Sequence, residues 1–471
     1  MLNLLSSAKL FSKPRDKIIE RESRNKLLSL LQSIVSATVY MVVMRYVVEA
    51  EGLESVGLWS MTAGLVAFLR SADLTGAGGL ARMLATSSDD PYVQAQYVDT
   101  MSVIVFLFYA SLCAGGYEVL RYLLLGSVPS TVGGLANSLL LWGLICLPLS
   151  AVGTAKLSAI DGLGRADIRS LLNIGGYLLF LCAALFFLEE HGIKALAYAQ
   201  FAQFVLVICA ARAVLVASIE SLVVIPSKLS RRAARACLGY GSRLQLMSLP
   251  MAIFDPLARV LVGRWGGLEV LGFYELSYKF ASQGRQLIQS YFNPLIPQFT
   301  KLWISDREKA RLFFRSINHQ SLLIVPIGFG LLVLLSPLVS ILVLSEISAM
   351  FILSTSIFSL SWGIASFGLV THLLARAAGV LRWSILGQML IIICGPPLMY
   401  LIAHYVSQMW VAVGAAVAIA LGHAAAFMGE ARALDVNPKR SGSSLFAIAS
   451  FFVLALIAIL LSNGQVNAQA L

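Results

Sequence analysis

The sequence contains charged side chains inside long apolar runs, and these are the residues best suited to bind a ligand or an ion. An ionised side chain near the centre of a bilayer costs about 2.5–3.5 kcal/mol, so it must face protein or water and often marks a binding site or an ion pathway. The apolar runs contain seven cationic side chains: Arg45, Arg70, Arg212, Arg243, Arg259, Lys279 and Arg285. They also contain three acids: Asp73, Asp255 and Glu275. Because guanidinium groups stay charged and bind phosphate oxygens bidentately, the excess of cations indicates an anionic ligand.

The same charges could instead neutralise one another, because buried ions are normally paired. Three pairs are spaced so that both side chains fall on one helix face: Arg70 and Asp73, Asp255 and Arg259, Glu275 and Lys279. Both interpretations stay open for these residues. Arg285 has no acid within four residues, so it and Arg70 are our first candidates for ligand contact. Arg212 lies near a predicted helix end, where its side chain can reach the membrane surface.

The elements that position these charges follow from composition. Of 471 residues, 58% are hydrophobic and 13% are charged, whereas soluble domains have about 45–50% apolar and about 25% charged residues. The chain is therefore predicted to be an all-α polytopic membrane protein. Its net charge of +11 is spread thinly between apolar runs, which argues against nucleic-acid binding. No metal-ligand spacing and no nucleotide-binding loop motif occur, so neither a metal nor another cofactor is expected.

A membrane-spanning helix needs about 20 apolar residues. Thirteen segments meet this requirement: 27–48, 57–78, 100–121, 132–154, 169–188, 195–216, 239–262, 271–298, 316–343, 349–374, 382–404, 409–429 and 445–462. With this segmentation, 25 of the 35 Lys and Arg residues lie on one side of the membrane and three on the other. Because cytoplasmic loops are enriched in Lys and Arg, the N-terminus is predicted to be cytoplasmic.

Two segments repeat at an offset of 215 residues. Residues 52–59 (GLESVGLW) recur as residues 267–274 (GLEVLGFY), and at the same offset Arg70 falls on Arg285. Six predicted spans precede the basic segment 217–238 and six follow it, so both halves have the same orientation, as in parallel repeats. The repeat predicts two like lobes around a central cavity.

The predicted organisation has five parts. These are a basic cytoplasmic tail (1–26), an N-terminal six-helix lobe (27–216), a basic cytoplasmic linker (217–238), a C-terminal six-helix lobe (239–429), and a loop with one further transmembrane helix (430–471). Most intramembrane cations fall in the first two helices of each half. The candidate ligand-binding residues are therefore expected around one shared cavity: Arg45, Arg70, Arg243, Arg259, Lys279 and Arg285.

Several short motifs resemble those of a known family. They are 57–60 (GLWS), 68–77 (FLRSADLTGA), 80–82 (LAR), 255–263 (DPLARVLVG), 271–279 (LGFYELSYK) and 294–297 (PLIP). This pattern resembles Wzx-type polysaccharide flippases of the multidrug/oligosaccharidyl-lipid/polysaccharide (MOP) exporter superfamily. Family members often have twelve or fourteen spans, so the count of thirteen departs from the family pattern.

The resemblance implies a transporter that moves a polyprenyl-diphosphate-linked oligosaccharide, a repeat unit of O-antigen, exopolysaccharide or capsule, across the bacterial inner membrane by alternating access. The implied partners are this anionic lipid, membrane lipids, and glycan polymerase and assembly proteins. Coupling to a proton or sodium gradient would use Asp73, Asp255 or Glu275. Two alternatives remain: a membrane enzyme of polysaccharide assembly, such as a polymerase or ligase, and a multidrug or small-solute antiporter of the same superfamily. The sequence favours a non-enzyme because no nucleophile–base arrangement is recognisable.

Overall fold

The computed structural model describes residues 14–70, 77–87, 90–292, 295, 299, 302–303 and 305–436. Within these ranges it describes all side chains except those of residues 14–23, 26, 77, 78, 86 and 240–251. The α-helices of the first half are α1 (Pro14–Arg70), α2 (Ala77–Thr86), α3 (Pro91–Leu125), α4 (Gly133–Gly162), α5 (Ala166–His191) and α6 (Lys194–Ser218). Those of the second half are α7 (Arg231–Phe292), α8 (Arg307–Leu344), α9 (Ala349–Phe367), α10 (Leu369–Ala378), α11 (Arg382–Tyr405) and α12 (Val411–Ala433).

The described chain is all-α, and nine of its helices are long and apolar enough to cross a membrane. The protein is thus a multi-pass membrane protein, as its composition predicts. Eleven of the first twelve predicted spans each fall mainly on one described helix or on one limb of a kinked helix, although 57–78 and 271–298 include residues outside the described ranges. The predicted span 349–374 instead covers two helices, α9 and the first part of α10. The thirteenth, 445–462, lies outside the described residues.

Helix ends follow local sequence signals. Asp90 caps α3 by accepting hydrogen bonds from the backbone amides of Tyr92 and Val93, and Pro91 occupies the first helical position, where its missing amide hydrogen costs nothing. Asp306 caps α8 in the same way, and Ser348 caps α9. Short turns separate most consecutive helices, and neighbours such as α11 and α12 pack against each other.

The two longest helices, α1 and α7, are each kinked at a glycine of the repeat. Gly52 has φ 77° and ψ 176°, and Gly267, 215 residues later, has φ 86° and ψ 173°. This backbone conformation lies in a region that is essentially restricted to glycine. Each kink divides its helix into two limbs, so the sequence repeat is also a repeat of backbone geometry.

The kinked helices pack against each other with reciprocal contacts. A Cβ placed on Gly57 would lie 1.9 Å from the carbonyl oxygen of Leu268, and a Cβ on Gly272 would lie 2.5 Å from the carbonyl oxygen of Leu53. Gly57 and Gly272 occupy equivalent repeat positions, as do Leu53 and Leu268. Contacts that map onto each other in this way are those of an approximate two-fold relationship. The division into lobes at 27–216 and 239–429 stays a prediction.

The segment after α6 is fixed to the first half by a buried ion pair. Arg212 Nη1 donates to Asp99 Oδ1 at 2.8 Å, and the two side chains are only 6% and 0% exposed. Asp99 Oδ2 accepts from the backbone amides of Ser227 and Lys228 at 3.0 and 3.1 Å. The expectation that Arg212 reaches the membrane surface is therefore wrong, because α3 places an acid beside it.

Candidate functional site

A central cavity of about 610 Å³ lies between α7 and the helices of the first half. Its volume lies in the range of ligand sites, about 300–1,000 Å³. Helices α1, α4, α5 and α6 line it mainly with uncharged side chains, whereas α7 contributes four of its five charged residues. The charged residues are Arg70, Asp255, Arg259, Glu275 and Lys279. Three cations against two acids leave one net positive charge, so the cavity favours an anionic ligand.

Arg259 holds both carboxylates of this cavity. Its Nη1 donates to Asp255 Oδ2 at 2.8 Å and its Nε donates to Glu275 Oε2 at 2.9 Å. The Arg259 and Glu275 side chains are 9% and 8% exposed, whereas Asp255 is 32% exposed. The i,i+4 pair of Asp255 and Arg259 is therefore formed as its spacing predicts. Glu275 instead pairs with Arg259, because the kink at Gly267 brings the two limbs of α7 together.

Glu275 is also bound from the first half of the chain. Ser60 Oγ donates to Glu275 Oε2 at 2.8 Å, and the Tyr40 hydroxyl donates to Oε1 at 3.4 Å. Ser60 and Tyr40 both belong to α1, so the buried carboxylate links the two halves. A carboxylate with this many donors has little capacity left for a ligand.

The remaining two cations of the cavity have no carboxylate partner among the described ion pairs. Lys279 Nζ lies 5.5 Å from the centre of the Tyr40 ring, a cation–π distance. The exposed Arg70 donates from Nη2 to Thr154 Oγ1 at 3.2 Å. Lys279 and Arg70 project from opposite halves of the chain into one cavity, so together they can bind a dianionic group.

Arg285 lies on a different cavity. This second cavity, of about 160 Å³, is formed by α7 and α9–α12, all in the second half of the chain. The Arg285 guanidinium carbon lies 4.1 Å from the centre of the Trp362 ring. The expectation of one shared cavity is thus wrong for Arg285. Six residues separate it from Lys279, which at 3.6 residues per turn rotates its side chain about 120° around α7.

Of the other predicted site residues, the structure describes the side chain of Arg45 but not those of Arg243 and Asp73. Arg45 lines neither cavity and donates from Nη1 to the Leu342 carbonyl on α8 at 3.2 Å. It therefore also departs from the expected shared cavity, because it faces a neighbouring helix. Arg243 lies on α7, but its side chain is outside the described residues, and Asp73 is outside them entirely.

Two buried acids, Glu430 and Asp99, were missed by sequence reasoning. Glu430, 1% exposed, lies 3.1 Å from His372 Nδ1, and its Oε1 also accepts a hydrogen bond from Ser384. The apolar-run criterion ended the last described span at 429 and assigned Glu430 to a loop, whereas α12 continues to Ala433. A charged residue within one turn of a predicted span end was the available signal. Asp99, one residue before the predicted span 100–121, was missed for the same reason.

Comparison with known proteins agrees with this architecture. A sequence profile described as "Polysaccharide biosynthesis protein" matches residues 163–351. No curated protein matches the chain. A multidrug resistance MATE family transporter of the MOP superfamily, in its inward-facing conformation, superposes with a TM-score of 0.69 at 14% identity, covering 87% of this chain and 100% of that one.

Two further solved structures are similar. The lipid II flippase MurJ, in an inward closed conformation, has a TM-score of 0.69 at 12% identity and covers 92% of this chain and 97% of that one. An outward-facing MATE family transporter has a TM-score of 0.58 at 16% identity, with coverage of 89% and 97%. The chain therefore has the fold of these MATE transporters and of MurJ, which is the fold that its sequence resemblance implies.

Proposed function

We propose that this protein is a flippase that moves a polyprenyl-diphosphate-linked oligosaccharide across the bacterial inner membrane by alternating access. The observation that carries the proposal is the central cavity, into which Lys279 and Arg70 extend from opposite halves, neither of them ion-paired with a carboxylate of the described residues. In this proposal the two cations bind the diphosphate, and the uncharged polar side chains of α4–α6 bind the sugars. The prenyl tail stays in the lipid. The match to a polysaccharide biosynthesis profile and the similarity to a lipid II flippase support this substrate class.

The two halves act as lobes in this mechanism, with the N-terminus in the cytoplasm. The higher TM-score to an inward-facing than to an outward-facing relative supports an inward-facing state for this conformation. The limbs that follow Gly52 and Gly267 pack together at Gly57 and Gly272, and we assign this contact as the outer closure. Opening outward would separate these glycines from the opposing backbone and break the hydrogen bond between Ser60 and Glu275.

The charges also argue against the two alternatives. A site for cationic drugs needs an excess of acids, but Asp255 and Glu275 are both ion-paired with Arg259, and with Arg70 and Lys279 the cavity has one net positive charge. A glycan polymerase or ligase needs a nucleophile activated by a base, but Glu275, which accepts from the hydroxyls of Ser60 and Tyr40, is already ion-paired with Arg259. Both observations favour an anion-binding transporter.

Translocation of a labelled lipid-linked oligosaccharide in proteoliposomes tests the proposal. We expect Lys279→Gln and Arg70→Gln each to slow flipping by about 10- to 100-fold, since a hydrogen bond to a charged group contributes about 1.5–3 kcal/mol. Arg121→Gln is the matched control, because Arg121 is exposed, pairs with Glu118 and does not line this cavity. Flipping at the wild-type rate by both cavity variants would overturn the assignment of the site.

A further inference from the structure

The second cavity, between α7 and α9–α12, contains a compact polar cluster that the proposed substrate site does not use. Glu430 Oε1, Ser384 Oγ and His372 Nδ1 are mutually within hydrogen-bond distance. Glu430 is 1% exposed, whereas the His372 side chain is 37% exposed. A fully buried carboxylate is thus connected to the cavity through a histidine that water can reach.

The hydrogen bonds of this cluster determine which of its atoms carry hydrogens. When His372 is neutral, Nδ1 must carry the hydrogen to donate to the Glu430 carboxylate, and Nε2 is then left as a base. A hydronium ion that reaches the cavity transfers its proton to Nε2, so one O–H bond breaks, one N–H bond forms and a water is released. Nδ1–H continues to donate to Glu430, and the product is an ion pair of the imidazolium with the buried carboxylate.

The charged groups that face this pair are few. Arg285 extends from α7, Arg376 from α10 and His423 from α12, whereas the lining residues of α9 and α11 are uncharged. His423 Nδ1 lies 2.9 Å from the Ile419 carbonyl of its own helix. The ion pair of Arg311 with Asp435 follows α12 but does not line the cavity.

These charges select a proton over a metal cation. Two guanidinium groups line the same cavity and repel any added cation, but a proton needs only one base, which here lies beside the Glu430 carboxylate, whereas a metal ion needs several ligands. Within the described residues, no cluster of three or more His, Cys, Asp or Glu side chains could hold a metal ion. The cavity volume of about 160 Å³ is sufficient for a few waters that carry the proton, since a water occupies about 30 Å³.

We propose that His372 and Glu430 form a proton-binding site that couples transport to the proton gradient. The coupling, though not the proton binding, rests on the proposed function. The mechanical connection is α7, whose second limb carries Arg285 at this cavity and Glu275 and Lys279 at the central cavity. Charging His372 repels Arg285 and biases the position of that limb, so one protonation event acts on both sites.

Infrared difference spectra of the purified full-length protein between about pH 5 and 8, where histidine titrates, test the proton binding without substrate. The chain has five histidines, so we expect the wild-type spectrum to contain, among several pH-dependent components, one that His372→Asn removes and that Glu430→Gln alters, because the carboxylate is hydrogen-bonded to the same ring. Ser384→Ala retains both groups and should alter this component less. His404→Asn is the matched control and should retain it. A spectrum unchanged in His372→Asn would overturn the proton site.

Flipping in proteoliposomes tests the coupling. An imposed pH gradient is expected to accelerate flipping by the wild type and by His404→Asn, while His372→Asn and Glu430→Gln keep only the gradient-independent rate. Retained acceleration in both variants, or acceleration by a sodium gradient alone, would overturn the coupling. A wild type that flips no lipid-linked oligosaccharide contradicts the proposed function and its coupling but leaves the infrared result to decide the proton site.

Discussion

Ser60 donates a 2.8 Å hydrogen bond to Glu275, the residue that occupies its own repeat position in the other half of the chain. Residues that coincide under the repeat can meet only near the approximate two-fold axis. The bond therefore lies where the two halves face each other, next to the glycines that pack against Leu53 and Leu268. Its position makes it a direct reporter of how the two halves separate.

Ser60→Ala is expected to favour the outward-open state. The substitution removes one donor from a charged acceptor, which changes the equilibrium by about 1.5–3 kcal/mol, or about 10- to 100-fold. Distances between spin labels placed near the two kinks, at Gly52 of α1 and Gly267 of α7, would measure the shift. Ser55→Ala is the control, because its hydroxyl bonds only to the Glu51 carbonyl of the same helix. Identical distance distributions in both variants would contradict the closure assigned to this bond.

Arg259→Gln is expected to destabilise the protein by about 3–5 kcal/mol, because it leaves two carboxylates in a largely buried site without their cation. Thermal unfolding in detergent would measure the loss. Arg259→Gln combined with Glu275→Gln should recover part of it, since the second change removes the uncompensated charge. A melting temperature unchanged in the single variant would show that Arg259 does not neutralise the pair.

Gly57→Ala and Gly272→Ala are expected to prevent the two halves from closing at this contact, because each added methyl overlaps backbone atoms that cannot rotate away. The predicted result is increased accessibility of the central cavity from the outer side, measured with a membrane-impermeant thiol reagent on Ala63→Cys. Gly115→Ala, with no atom within 4 Å of the added methyl, should behave as wild type. Unchanged labelling in both glycine variants would contradict the packing.

Asp99→Asn is expected to release the segment that follows α6. The change removes the negative charge that neutralises the buried Arg212 and weakens the acceptor of two backbone amides, at a cost of about 3–5 kcal/mol. Hydrogen exchange should increase across residues 219–230. Glu118→Gln, which alters only an exposed pair, should leave exchange unchanged. Equal protection in the Asp99 variant would show that the linker is held by other contacts.

Much of the fold could be predicted from the sequence, because span length and the distribution of Lys and Arg are properties of the chain that do not depend on tertiary contacts. The pair of Asp255 and Arg259 was predictable for a similar reason, since one helix turn sets its spacing. The repeat also placed Gly52 and Gly267 at equivalent positions, although it did not predict the kinks there. Helix ends were less predictable, and this placed Glu430 and Asp99 in loops.

The remaining site contacts depend on tertiary structure. Arg259 meets Glu275 across 16 residues and a kink, and His372 meets Glu430 across 58 residues. The cavity that Arg285 faces depends on the rotation of one helix limb by a fraction of a turn. A list of intramembrane charges identifies the candidates, but their distribution between two cavities requires the packing of α7.

Binding of polyprenyl diphosphate to the purified protein tests the central claim most directly, with polyprenyl monophosphate and neutral polyprenol as comparison ligands. The account predicts that the diphosphate binds most tightly and that Lys279→Gln weakens it by about tenfold or more, corresponding to about 1.4 kcal/mol per factor of ten, with little effect on polyprenol. Equal affinity of wild type and Lys279→Gln for the diphosphate, or equal affinity of the wild type for all three lipids, would contradict it.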